Sequence, residues 1–145
     1  LKSTTANFQT KALEKSIDLQ LRVPHYAVKI GVDRNKFKQV IVNVLQNAYR
    51  YSPEGGSILA ELAESNKNEV EISIEDNGPG IPFEERKKVF ERFYRVQKDR
   101  NRSSGGSGLG LAIVSEIVKK HGGQVYFEDP KVLSGARLVL LLPRK

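Results

Sequence analysis

Asn43 and Asn47 stand four residues apart in the run DRNKFKQVIVNVLQNAYRYS, residues 33–52. Four residues make one helical turn, so on a helix the two amides would stand over each other. The opposite side is apolar: Phe37, Val40, Ile41, Val44, Leu45 and Ala48 recur at helical spacing and would face a core. Amides in register on a helix's polar side suit the floor of a polar pocket. Mg2+ is a hard cation that takes oxygen ligands, keeps waters and shares substrate phosphates. One amide carbonyl, from Asn47, suffices when phosphates provide the rest. Arg50, a turn further on, can meet phosphate oxygens in a bidentate way. A solvated helix face with two incidental amides would look the same.

Three further stretches could do chemistry. Asp76-Asn77-Gly78-Pro79-Gly80-Ile81 ends a strand pattern. An aspartate there can accept a hydrogen bond from an exocyclic amine such as adenine's, and the glycines let backbone pass close to a flat base. A plain Asn-Gly turn is the alternative. Gly105-Gly106-Ser107-Gly108-Leu109-Gly110-Leu111 opens a helix pattern, where free N–H groups and the helix dipole favour an anion. It is neither a Walker loop nor a dinucleotide fingerprint, since no Gly-Lys-Ser/Thr follows and no strand precedes. A flexible linker before a helix remains open. In Phe90-Glu91-Arg92-Phe93-Tyr94-Arg95 the aromatics would anchor a loop base, with Arg95 at its root able to swing onto a phosphate. An ordinary helix end fits equally.

The elements that must position these groups follow from periodicity. A short helix is expected over residues 1–15. A strictly alternating strand follows over 17–23, ended by Pro24, and a short strand is possible over 26–32. Asp33 is a plausible N-cap for the long helix. Residues 52–56 are a turn. Strands over 57–64 and 70–75 form an antiparallel hairpin, with Val70, Ile72 and Ile74 on one face and Glu71, Ser73 and Glu75 on a wet one. A helix is expected over about 82–92, opened by Pro82. The polar, basic residues 96–107 cannot bury a core and should be mobile. A helix over 109–121 has Leu109, Ile113, Ile117 and Lys120 near one seam, with Ala112, Val114 and Val118 filling around it, and ends at Gly122-Gly123. Strands over 124–128 and 136–142 close the chain, the latter apolar enough to be central. Strands that come in pairs imply a mixed, largely antiparallel sheet with helices on one face, a two-layer α/β sandwich.

Composition bounds the function. At 145 residues the chain is one domain with a real core. It has no cysteine, which excludes disulfides, thiolate catalysis and Cys-ligated metals. His25 and His121 cannot make a zinc site without carboxylates. No apolar run spans a membrane. The net charge of +7 is concentrated between Arg86 and Arg102, which favours a local anion site. No recognition-helix or stacking motif accompanies it, so nucleic acid is not expected as a partner. The chain starts at Leu1 and has no Met. It is expected to be a domain of a longer protein.

Together the four stretches resemble one family, the catalytic ATP-binding domain of bacterial two-component sensor histidine kinases. NVLQNAYRYS is similar to its N box, EDNGPGIP to its G1 box, VFERFYRV to its F box and GGSGLGLAIV to its G2 box. The resemblance implies the Bergerat ATP-binding fold shared with Hsp90, DNA gyrase and MutL. It implies that Asn47 coordinates Mg2+, with Asn43 supporting it through water. Arg50 takes a position that often holds a phosphate-facing lysine. Tyr51 and Ile81 would flank the nucleotide, and Asp76 would bind the adenine amino group in a pocket shaped by Gly78 and Gly80. Arg95 would contact the γ-phosphate, residues 96–107 would be the ATP lid, and Gly106, Ser107, Gly108, Leu109 and Gly110 would line the phosphates. Arg95 and Arg50 are the expected catalytic cations.

The same resemblance implies a division of labour. The γ-phosphate would pass to a histidine on a separate dimerisation and phosphoacceptor domain of the same protein, and a response regulator would act downstream. The full-length protein would be a homodimer in the cell membrane, with this domain in the cytoplasm. Residues 1–6 would be the tail of the linker and 7–145 the catalytic domain. No Ser-His-Glu phosphoacceptor box is present, and neither His25 nor His121 has an adjacent carboxylate. ATP hydrolases of this fold carry a Glu one turn before the Mg-binding Asn. Here Asn43 stands there, and an amide cannot take a proton at neutral pH. A further departure is Gly135-Ala136 where the family usually has Gly-Thr, which removes a hydroxyl near the base.

Overall fold

The apolar stripe of the long helix becomes the centre of the core. In the computed structural model, which describes residues 2–26, 28–94 and 109–144, α2 spans Arg34–Tyr51 and buries Val40, Ile41, Val44, Leu45 and Ala48. Asp33 caps it as expected: its Oδ1 accepts the Lys36 N–H at 3.0 Å. Replacing Asp33 with Ala should cost about 1 kcal/mol, a drop of roughly 2–4 °C in a thermal melt. An unchanged melting point would mean the cap is idle.

The other elements are α1 (Lys2–Glu14), β1 (Asp18–Arg22), β2 (Ser57–Glu64), β3 (Glu69–Asp76), α3 (Gly110–Lys120), β4 (Gln124–Glu128) and β5 (Arg137–Pro143). The five strands form one sheet in the order β1-β2-β3-β5-β4. Only β1 and β2 are parallel, and β5 lies inside the sheet as its apolar sequence implied. α1 packs on β1 and α2, α2 on β3 and α3, and α3 on β4. This is the expected two-layer sandwich. Ile58, Ala60, Ile72, Ile74, Leu138, Leu140 and Leu142 meet the helices' apolar faces.

Four local expectations are corrected. Residues 82–92 form two short 3-10 turns, Phe83–Glu85 and Lys88–Phe90, in place of a helix. Only Val89 is buried in these turns, and Phe83 is 79% exposed. An apolar stripe is missing there, so nothing holds a full helix to the core. The possible strand over 26–32 is reduced to a single bridge, Ile30 with Arg144. On α3 the deepest residues are Val114 and Val118, with Ile113 only partly buried. The fourth correction concerns β3. Ser73 and Glu75 are buried, at 3% and 0% exposed, so that side of the hairpin is not wet. Alternation assigns side chains to faces; it does not say what covers a face. Here Arg137 and the residues after β4 do.

Candidate functional site

Asp76 closes β3 where the strand leaves the sheet. Its Oδ1 accepts the N–H of Gly78 at 2.9 Å and of Ala136 at 3.2 Å. Its backbone pairs with the same segment: Asp76 N–H donates to Ala136 O at 3.0 Å, and Gly135 N–H donates to Asp76 O at 2.9 Å. The side chain is buried, and its Oδ2 has no hydrogen bond among the described residues. Burial pushes the carboxyl above the ordinary aspartate range. The Gly78 and Ala136 amides pull it down in part, and the Glu75 charge adds to the rise. A carboxylate held by one oxygen, with the other left for a donor, suits recognition of an amine in a fixed plane.

The Asp76 turn is pressed against the end of α2. A Cβ at Gly78 would overlap the Tyr51 carbonyl, and one at Gly135 would overlap Asp76 itself. Gly80 has φ +76°, a left-handed conformation that glycine takes without strain. Asn77 Oδ1 accepts the Ser57 N–H at 2.9 Å, which locks the turn to the start of β2. Ile81 is half-buried, and its carbonyl accepts Arg86 Nε at 3.5 Å. Arg86 in turn donates to Asp129 Oδ1 at 2.7 Å.

Along α2, Asn43 and Asn47 are half-buried one turn apart, and neither side chain has a hydrogen-bond partner among the described residues. Part-buried amides ordinarily find partners, and two without one among the described residues suit a ligand that accepts or donates. Arg50 is exposed in the last turn, with Tyr51 half-buried beside it. α3 packs against α2 and starts at Gly110 with Leu109 as its N-cap, and no side chain caps it. Arg95, Gly106, Ser107, Gly108 and the expected lid at 96–107 lie outside the described residues. The structure therefore sets the Gly78 turn against Tyr51 at the end of α2, the helix that carries Asn43 and Asn47, and packs α3, which opens at Gly110 after Leu109, beside that helix. Among the described residues no three His, Cys, Asp or Glu side chains cluster as a metal cage. The donor set fits a Mg2+ that draws most ligands from phosphates and one from Asn47.

His121 has a structural part. Its Nδ1 lies 2.8 Å from Ile117 O, and the Asp33 N–H approaches its Nε2 at 3.4 Å, so it joins the end of α3 to the start of α2. His25 is exposed.

Sequence reasoning missed Glu75 and Arg137. By pattern Glu75 is one polar alternation among three, and Arg137 is the start of an apolar strand. A charged residue at the head of so apolar a run was the available signal.

Comparison with known proteins converges on one group. Residues 32–145 match the family model described as histidine kinase-, DNA gyrase B- and HSP90-like ATPase. The sensor histidine kinase WalK of Bacillus subtilis is 38% identical over 133 residues, covering 91% of this chain and 22% of its own length. The solved mycobacterial sensor histidine kinase MprB is 33% identical with a TM-score of 0.80, covering 99% of this chain and 94% of that one. Full-length ShkA in complex with AMPPNP is 29% identical with a TM-score of 0.82, over 99% of this chain and 29% of that one. The chain spans only 9–22% of the first curated relatives it matches. Among the described residues no helix is long and apolar enough to cross a membrane.

Proposed function

Because the chain belongs to the histidine kinase-, DNA gyrase B- and HSP90-like ATPase family, as a sensor histidine kinase ATP-binding domain, we propose that it binds Mg-ATP and donates the γ-phosphate to a histidine on a separate phosphoacceptor domain. Asp76 Oδ2 accepts the adenine amine, and Gly78, Gly80, Ile81 and Tyr51 shape the base pocket. Asn47 provides the one protein oxygen for Mg2+, with Asn43 behind it through water. Mg2+ neutralises phosphate charge when bound. Arg50, Arg95, Gly106, Ser107, Gly108, Leu109 and Gly110 meet the phosphates. Phosphoryl transfer asks a protein mainly for positioning and charge neutralisation, and these groups offer both.

The observation that carries the reading is Asn43. It sits one turn before Asn47 with its amide unpartnered among the described residues. A residue placed there to activate water must accept a proton, and an amide does not. The phosphate is therefore directed to a protein nucleophile. Neither histidine of this chain serves, one being exposed with no carboxylate paired to it among the described residues and the other bonded between two helices. The acceptor lies on the dimerisation domain of a homodimeric, membrane-anchored protein, with this domain in the cytoplasm and a response regulator receiving the phosphate next.

The test uses ATP labelled at the γ-phosphate. The chain alone should bind ATP, take up no label and release almost no phosphate. With a histidine kinase phosphoacceptor domain supplied separately, label should appear on that domain. Asn47→Ala should remove the Mg2+ dependence of ADP binding in calorimetry and lower transfer by about a hundredfold or more. Strong self-labelling, or steady phosphate release by the chain alone, would overturn the proposal.

A further inference from the structure

Behind the sheet, on the face away from the helices, β3, β5 and β4 carry a charged row: Glu75 opposite Arg137, and Arg137 opposite Glu128. Arg137 is buried, and its guanidinium serves three carboxylates. Nε donates to Glu128 Oε1 at 2.7 Å, NH2 donates past Ser73 to Glu71 Oε1 at 3.1 Å, and NH1 lies 3.6 Å from Glu75 Oε2. Burial alone would lower the Arg137 pKa, but the carboxylates outweigh it and hold it above its ordinary value. The Glu75 side chain is fully buried. Its Oε1 accepts the backbone N–H of Lys131 and, at 3.1 Å, of Val132, while Oε2 has no hydrogen bond among the described residues.

A buried carboxylate is expensive to keep even when paired, and replacing a whole buried ion pair by apolar residues is often neutral or stabilising. Its position suggests what it does here. Lys131 and Val132 begin the segment that continues to Gly135 and Ala136, and those two hold Asp76 by two backbone hydrogen bonds and a third to its carboxylate. That segment is thus clamped at both ends by consecutive residues of β3. Glu75 grips one end from the back face, and Asp76 meets the other at the rim.

We propose that Glu75, oriented by Arg137, is a positioning residue for base recognition: it fixes the 131–136 segment, and through the Gly135 and Ala136 amides it sets where the Asp76 carboxylate points. Neither residue touches the nucleotide. The inference rests on Asp76 being the adenine ligand proposed above. Its consequence is selectivity. A displaced Asp76 loses the directional acceptance of the adenine amine while phosphate and metal contacts persist, so ADP suffers more than a nucleotide lacking that amine. A merely structural role would lower the folded fraction and weaken all nucleotides alike.

The experiment compares calorimetric affinities for ADP and inosine 5′-diphosphate, whose 6-oxo group replaces the amine, at fixed Mg2+. The unaltered chain should favour ADP. Glu75→Ala should weaken ADP by about tenfold and inosine diphosphate by only about twofold, collapsing the ratio. Glu75→Leu, which fills the same space without an acceptor, should do the same, and it decides the matter if the alanine variant does not fold. Glu75→Gln keeps an acceptor for the two amides and should retain most of the ratio. Amide exchange at Gly135 and Ala136 should accelerate in step with lost selectivity. A folded alanine or leucine variant that keeps the original ratio overturns the inference and leaves the site reading intact; so does a glutamine variant as unselective as they are. No ADP preference in the unaltered chain removes the site reading itself, and this inference with it.

Discussion

The Asp76→Asn variant is expected to lose ADP and ATP binding by about a hundredfold or more while its fold becomes no less stable. Asparagine can keep the two bonds that Oδ1 makes, from Gly78 and Ala136. It then places an N–H2 where Oδ2 stood. The adenine amine would face a donor, and a buried donor without an acceptor loses about 1–3 kcal/mol, with the lost bond adding to that. The nucleotide-free fold responds in the opposite sense. Because burial raises the Asp76 pKa, the folded state prefers the protonated acid. Its contribution to stability is full at pH below the ordinary aspartate range and is lost as pH rises through the raised folded value. At neutral pH the ionised group therefore weighs against the fold, and neutral asparagine relieves it. The same linkage predicts that ADP affinity of the unaltered chain falls as pH drops through the raised Asp76 pKa, since only the ionised form offers both lone pairs at Oδ2. Calorimetry at several pH values and paired thermal melts would check both halves. Binding by Asp76→Asn within a few-fold of the unaltered chain would remove Asp76 from the base pocket.

Gly135→Ala should be among the most damaging single-methyl additions in the molecule. Its Cβ would overlap Asp76 Oδ1 and lie 2.6 Å from both Asp76 O and Gly78 N. Those atoms are held by hydrogen bonds and cannot step aside cheaply. The segment must retreat, and the bonds from Gly135 and Ala136 to Asp76 lengthen or break. Overpacking of this kind costs about 1–3 kcal/mol, and the lost bonds bring the sum to about 3 kcal/mol or more. A melting point lower by roughly 10 °C follows, with nucleotide binding undetectable even where the fold survives. Gly55→Ala is the matched control. Gly55 has φ +78°, and among the described residues beyond its two chain neighbours no atom lies within 4 Å of the place a Cβ would take. Backbone strain of about 1 kcal/mol is then the only penalty, and ADP binding should be unaltered. Equal melting points for the two variants would refute the steric account of Gly135.

Much of this was legible in the residues. The α2 stripe, the Asp33 cap, the Gly122 stop after α3 and the central place of β5 all follow from spacing and turn chemistry, and each is present. Where reading failed, it failed for definable reasons. A Pro at a first turn suggests a helix over 82–92, but the segment lacks an apolar stripe, and only two turns form. Alternation in β3 places Glu71, Ser73 and Glu75 correctly on one face, but polar side chains do not make that face a wet one. Their covering comes from Arg137 and from residues 131–132, more than fifty positions along the chain.

The division falls along the range of the forces involved. Helix bonds join residues four apart, so the sequence by itself determined that Asn43 and Asn47 share a side and that an amide, not a carboxylate, precedes Asn47. Strand alternation is equally local and determined the faces of β3. Only the tertiary structure decided which oxygen of Asp76 is engaged, because Ala136 N–H reaches it from sixty residues away across β3 and β5. It also decided that Glu75 is buried and what it holds. Desolvation and cross-strand pairing depend on what the folded chain packs nearby, and no local pattern of residue types encodes that.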